Sequence, residues 1–261
     1  MFRLRTIALA GAMLSTAAAA TLTILHQRPS EASPLPAQPR SKILGLDLQP
    51  QRMGNWCWAA SGQMVMDFGD RSEGQDISQC TQARFRVEQL IALVGGTDPP
   101  PNCCSQPVDC NRTGWPIFDS FEFQSRNTAS EPQSWLPWET IVAEIDAERP
   151  ICFSIKWTGV GERGGHMGVI HGYEETADGE RFLHIMDPWP VPQPQSDIPE
   201  LQRGGTPWRL AYDHYVRFDD VSEGPEAQER GIPFHWKQHR HWRDYYEIRP
   251  IPQENGPNGP E

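Results

Sequence analysis

The hydrophobic pattern of the chain changes near residue 150, and this change restricts the possible fold more than any other feature. Before it, apolar side chains such as Ala60, Met64 and Phe68 recur at the spacing of one helix face. Helices are predicted over Cys57–Phe68, about Ser78–Val94 and Trp138–Ile145. After it, short strand-like runs cover Ile151–Trp157, Met167–Tyr173, Phe182–Met186 and Trp208–Phe218. Helices followed by strands predict an α+β fold in two lobes.

The N-terminus carries a targeting pattern. Arg3 and Arg5 precede the uncharged, alanine-rich stretch Thr6–Leu25, which is typical of an export signal at residues 1–25. The stretch is also long enough to be retained as a membrane anchor, and both alternatives put the following domain outside the cytoplasm. We further expect a disordered linker at 26–42, a folded domain at 43–221 beginning with a strand near 43–48, and a polar tail with an aromatic, histidine-containing segment at 222–261.

The charge balance excludes some partners. The net charge of -11 argues against binding to the phosphate backbone of nucleic acids and to anionic lipid. No membrane contact is expected unless the N-terminal segment is retained. We expect a monomer without a cofactor, and we assign no residue as a metal ligand.

The surrounding sequence separates the six cysteines into four that can form disulfides and two that stand apart. Cys80, Cys103, Cys104 and Cys110 lie in or beside the loop-like stretch 97–133, and an exported chain can join them in two disulfides. Adjacent Cys103 and Cys104 are poorly placed to pair with each other, which leaves two pairings open. A zinc site is the alternative, although two CxxC motifs are lacking. Cys152 lies in an apolar run and is expected to be buried. Cys57 is then unpaired.

The stretch QRMGNWCWAAS around Cys57 predicts a reactive thiol. A free cysteine has a pKa near 8.5, so little thiolate exists at neutral pH. Cys57 stands at the start of a predicted helix, where unpaired N–H groups favour an anion. Trp56 and Trp58 flank it and, with Gly165, are candidates to contact a substrate.

A reactive thiol needs a base and a group that orients it. Among eight histidines, His166 follows a glycine-rich loop at the start of a strand, as expected at the rim of a cleft. Asp187 ends the predicted return strand, so a hairpin through Asp178-Gly179 would bring it back to the same rim. An oxyanion needs hydrogen-bond donors, and the Cys57 N–H and the Gln51 side chain are the candidates.

These motifs together resemble those of papain-like cysteine peptidases. Gln51, five intervening residues and Cys57-Trp58-Ala59 are similar to the oxyanion glutamine and nucleophile of that superfamily, and His166 and Asp187 follow in its order. The NWCWAAS form is closer to a compact bacterial branch that includes a plant-pathogen effector protease. Over residues 43 to 220 the resemblance implies a helical lobe, an antiparallel β lobe with the active site between them, and endopeptidase activity through a thioester. Its substrate would be a protein or peptide.

Three other interpretations remain at this point. A Cys-His-Asp order also serves transglutaminase-like acyltransferases and amidases. The chain could instead be an inactive binding domain that keeps the fold. A metal site is conceivable in the tail, where His235, His239 and His241 lie close in sequence.

Overall fold

The computed structural model describes residues 38–69, 76–130, 135–158, 164–189, 213–218 and 239–252. The predicted signal at 1–25 and most of the predicted linker lie outside these residues. No helix among the described residues is long and apolar enough to span a membrane.

The predicted helices are present in the described part of the chain. They are α1 (Cys57–Gly69), α2 (Gln79–Leu93) and α3 (Trp138–Asp146). Small residues let α1 pack closely against α2: a Cβ added at Gly62 would lie 2.8 Å from Oε1 of Gln82. The Gln82 amide donates to the carbonyl of Ala59 at 2.9 Å, which fixes one helix against the other. This packing sets the position of the first residue of α1.

The strands form one antiparallel sheet. They are β1 (Arg40–Ile43), β2 (Phe123–Asn127), β3 (Ile151–Trp157), β4 (Gly165–Glu175), β5 (Arg181–Met186), β6 (Asp213–Arg217) and β7 (His239–Pro250). Their order is β2-β7-β3-β4-β5-β6, and β1 pairs with the second half of β4. Helix α1 packs on β4, so the helical part and the sheet meet beside the start of β4. The predicted α+β class and antiparallel pairing are confirmed.

Strand β7 differs most from expectation. Residues 222–261 were expected to be a polar tail, yet His239–Pro250 pairs with both β2 and β3. Two of its polar groups have hydrogen-bond partners in neighbouring segments. The carboxylate of Asp244 accepts from the backbone N–H of Leu136 at 2.8 Å, and the Ser154 hydroxyl donates to the carbonyl of Arg243 at 2.9 Å. The domain therefore does not end at residue 221.

Two smaller differences concern loops. The first strand covers Arg40–Ile43 rather than 43–48, because its register with β4 ends where Ile43 meets Gly172. The stretch 97–133 contains strand β2 and short 3-10 helices, including Pro107–Cys110, where a loop was expected. Its polar strand residues are largely exposed, which removes the alternating pattern that predicts a strand.

The disulfides settle a pairing that the sequence left open. Cys80 bonds to Cys104, and Cys103 bonds to Cys110. These bonds exclude the alternative of a zinc site built from the four thiolates. Cys57 and Cys152 are free, the first half-buried and the second buried.

Candidate active site

Cys57 is the first residue of α1, and its surroundings are held by side chains on either side. The indole N–H of Trp56 donates to the carbonyl of Cys110 at 2.9 Å, and that of Trp58 donates to the carbonyl of Arg112 at 3.1 Å. Both indoles are almost fully buried. Trp58 reaches the cavity beside Cys57, whereas Trp56 is not among the residues that line it. Trp56, predicted to contact substrate, therefore has the position of a core anchor.

His166 is the second residue of β4 and only 4% exposed. The preceding Gly165 has no room for a side chain, because a Cβ there would collide with the carbonyl oxygen of Ile155. It would also approach the Trp242 ring to 2.9 Å. Glycine at 165 therefore lets β4 approach β3 and β7 closely at the point where His166 enters the cavity.

Asp187 directly follows β5 and is fully buried. Nε2 of His166 donates to Oδ1 of Asp187 at 2.6 Å, and the backbone N–H of Trp189 donates to the same oxygen at 2.9 Å. The Trp189 ring stands edge-on to the imidazole, with 6.0 Å between the ring centroids. The pair is thus oriented and shielded from water, and the ring nitrogen left for the thiol is Nδ1.

The protonation of His166 reflects three opposing influences. Burial alone would lower its pKa, but the charge and hydrogen bond of Asp187 raise it, and a hydrogen bond with Cys57 raises it further. The result is a pKa of about 10. His166 is therefore protonated at neutral pH, and the arrangement puts an imidazolium beside the Cys57 sulfur.

Gln51 is buried, but its amide is turned away from the expected role. Its Nε2 donates to the carbonyls of Met53 and Gly54, at 2.9 and 3.0 Å. Its own backbone N–H donates to the carbonyl of Pro188 at 2.9 Å. Gln51 does not appear among the residues that line the cavity. It ties the turn before Cys57 to the segment that carries Asp187.

A cavity of about 220 Å³ lies over Cys57 and His166. Five tryptophans contribute to its walls, namely Trp58, Trp115, Trp157, Trp189 and Trp242. Gly165, predicted to contact substrate, also lines it. Gly114 approaches Trp58 so closely that a Cβ would lie 2.8 Å from the ring, so a side chain at this position would collide with the indole.

Sequence reasoning missed several residues of the cavity wall. Trp115 and Trp242 come from the expected loop and the expected tail, and their rings meet edge-on at 4.7 Å between centroids. Arg86 of α2 also lines the cavity. The surplus of tryptophan was a signal, but nothing in the sequence indicated which of these residues meet.

The described residues contain no group of three or more His, Cys, Asp or Glu side chains that could hold a metal ion. His235, one member of the tail site considered from sequence, lies outside them. The four cysteines considered for zinc are disulfide-bonded.

Comparison with known proteins gives one family. The model of the family described as papain-like cysteine protease AvrRpt2 matches residues 41–202, which is more than half of the chain. No curated protein matches the chain significantly. The matched region contains Cys57, His166 and Asp187 but ends before β6 and β7. On this match, the chain belongs to the AvrRpt2 family of papain-like cysteine proteases.

Proposed function

We propose that this protein is an exported endopeptidase in which Cys57 is the nucleophile, His166 its base and Asp187 the group that orients the base. The observation that carries the proposal is that a free cysteine at a helix start and a buried histidine bonded to Asp187 line one cavity. Protein substrates follow from the protease family. The two disulfides support an oxidising compartment.

Because the pKa of His166 is raised to about 10, the proposed reaction starts from the state in which the thiol proton of Cys57 is already on the imidazole. The thiolate attacks the carbonyl carbon of the scissile peptide bond, and its negative charge moves to the carbonyl oxygen. His166 then protonates the leaving amine as the C–N bond breaks, which leaves a thioester on Cys57. Water, deprotonated by His166, attacks the thioester and releases the acid product and the free thiol.

The oxyanion needs donors at the helix start. The backbone N–H of Cys57 is one, because the first N–H groups of a helix have no intrahelical acceptor. Gln51 remains the proposed second donor only if its amide gives up a bond to the carbonyl of Met53 or Gly54 when substrate binds. The bonds in the resting protein support a positioning role for Gln51 instead.

The test compares the two free cysteines. Cys57→Ala should abolish peptide hydrolysis while the unfolding temperature stays within a few degrees of the original. Cys152→Ala is the control, since Cys152 is also free but is buried in β3 and does not line the cavity. Hydrolysis that survives in the Cys57→Ala variant contradicts the proposal. Mass spectrometry of products from a glutamine-containing peptide with added amine separates hydrolysis from acyl transfer.

A further inference from the structure

Arg86 is an unusual residue in the wall of the cavity. Among the described residues that line it, Arg86 is the only arginine or lysine, and none is an aspartate or glutamate. The Nε atom of Arg86 is buried and has no hydrogen-bond partner. Within the described part of the chain, no ion pair to Arg86 is found.

The protein is acidic, with a net charge of -11, so carboxylates are plentiful as partners for arginine. The Nε atom of Arg243 is also buried without a hydrogen-bond partner, but its guanidinium stacks on the Trp115 ring. Five other arginines of the described chain have carboxylate partners, namely Arg40, Arg84, Arg126, Arg149 and Arg181. Burying a guanidinium donor without an acceptor costs free energy, so natural structures usually supply a partner. A ligand that enters the cavity can supply the missing acceptor.

The position of Arg86 is fixed by the helix that carries it. Gln82 lies one turn earlier on the same face of α2, and its amide bonds to the carbonyl of Ala59 in α1. Helix α1 begins with Cys57, so Arg86 and the nucleophile are carried by two helices that are bonded to each other. Arg86 can therefore hold a substrate group at a constant distance from the reacting sulfur.

Two further cations lie against the aromatic wall of the cavity. The guanidinium of Arg243 stacks on the Trp115 ring at 4.2 Å from its centroid, and the ammonium of Lys156 lies 5.4 Å from the centroid of Trp242. Both rings line the cavity. An anionic group in the cavity would be attracted by these two cations as well as by Arg86.

We propose that Arg86 is a specificity-determining residue that binds a carboxylate of the peptide substrate. The inference rests on the proposed function, since the cavity is taken as the substrate cleft. Arginine suits this role because its planar donors match the two oxygens of a carboxylate. The carboxylate can come from an acidic side chain near the scissile bond or from the C-terminus of a short peptide.

The experiment measures kcat/KM for matched pairs of peptides. At each position near the scissile bond Asp is compared with Asn and Glu with Gln, and each peptide is made with a free and with an amidated C-terminus. At one position or at the C-terminus, the acid should be preferred about tenfold or more, as expected for a charged hydrogen bond. A preference for Asp over Asn or Glu over Gln identifies a side-chain carboxylate as the ligand of Arg86. A preference for the free over the amidated C-terminus identifies the terminal carboxylate.

Variants assign the preference to a residue. Arg86→Met should reduce the ratio of acid to amide to about one, and Arg86→Lys should keep part of it. Arg84→Met is the matched control, because it removes the same charge from an exposed face of α2, where Arg84 pairs with Glu88 at 3.2 Å. A ratio near one in the original protein, or an unchanged ratio in Arg86→Met, overturns the inference.

Failure of the inference is separable from failure of the proposed function. The dissociation constants of the same peptide pairs are measured with the Cys57→Ala variant, which needs no turnover. The Arg86 site is supported if the acidic peptide binds more tightly than its amide and this difference disappears when Arg86→Met is added. This result supports the site even if the original protein cleaves nothing. Cleavage without any preference for an acid keeps the peptidase and removes the Arg86 site.

Discussion

The indole N–H of Trp56 donates to the backbone carbonyl of Cys110 at 2.9 Å, which connects the residue before the candidate nucleophile to a disulfide. The adjacent residues make parallel connections. The backbone N–H of Asn55 donates to the side chain of Asn111 at 2.9 Å. The Cys103–Cys110 bond thus supports the turn that presents Cys57.

The two disulfides should therefore differ in their effects on activity and stability. Replacing Cys103 and Cys110 by alanine should lower kcat/KM more than replacing Cys80 and Cys104, because only the first pair supports the Cys57 turn. Unfolding free energy should fall by about 2–4 kcal/mol in both, and more for the Cys80–Cys104 bond, which closes the longer loop. Denaturant unfolding and peptide hydrolysis measure the two effects. Equal losses of activity would contradict the link to Cys57.

The alkaline limit of activity should depend on Asp187. Its charge and hydrogen bond raise the pKa of His166 to about 10 against the opposing effect of burial. With Asp187→Asn the pKa of His166 falls, so the alkaline limb of the kcat/KM profile should move down by about 1–3 pH units. Asp178→Asn, which removes a charge from the exposed hairpin turn, should leave the limb in place. If the alkaline limb of the Asp187→Asn profile does not move, the limb does not report the titration of His166.

Stability should fall in mild acid because of His239. Burial, together with the neighbouring His241, lowers the pKa of His239 to about 4. An unfolded histidine titrates near about 6.5, so between pH 6.5 and 4 the unfolded state binds the proton first and folding loses free energy. The loss attributable to His239 between pH 7 and pH 5 should be about 1–2 kcal/mol. Comparing denaturant unfolding of the original and His239→Gln proteins at both pH values measures it. The same pH dependence in both proteins would show that His239 does not contribute.

Truncation should show that the C-terminal strand belongs to the fold. A chain that ends at residue 221 lacks β7, which leaves β2 and β3 without the strand that lies between them. It should not unfold cooperatively and should not hydrolyse peptides. A chain that ends at residue 252 keeps β7 and should resemble the full chain in circular dichroism and unfolding temperature. A folded, active chain ending at 221 would contradict the role of β7.

A Gln51→Ala variant should show whether Gln51 holds the turn before Cys57 or donates to the oxyanion. If its amide mainly holds the turn through the carbonyls of Met53 and Gly54, Gln51→Ala should lower the unfolding free energy by about 1–2 kcal/mol. If it donates to the oxyanion, kcat should fall about a hundredfold or more with little change in stability. We expect the first result. Measuring kcat and denaturant unfolding on the same variant decides between them.

The sequence predicted the part of the site that depends on local signals. Cys57 was recognisable because its helix start, its flanking tryptophans and its lack of a partner are all short-range features. His166 and Asp187 followed from one hairpin, and their 2.6 Å hydrogen bond agrees with that reasoning. The spacing of Gln51 and Cys57 could not reveal that the Gln51 amide holds the turn between them. Both carbonyls that accept from this amide belong to that turn.

Strand β7 and the disulfide pairing could not be predicted, because both depend on contacts between distant segments. Strand β7 resembles a solvated segment because it buries His239, His241 and Asp244, which are seldom buried without specific partners. His241 pairs with Asp244 of the same strand at 3.0 Å, but Asp244 also accepts from the backbone N–H of Leu136 in a distant segment. No local pattern indicates that distant contact. The disulfide pairing was open for a similar reason, since Cys103 and Cys104 are adjacent and only their directions in the fold choose between Cys80 and Cys110.

The position of β7 also has a consequence for synthesis. Strand β7 lies between two strands that begin at Phe123 and Ile151, and it carries Trp242 into the wall over the sulfur. During synthesis this wall therefore stays incomplete until the chain has emerged from the ribosome as far as Trp242. We expect the cavity to take its final shape only after β7 has paired with β2 and β3.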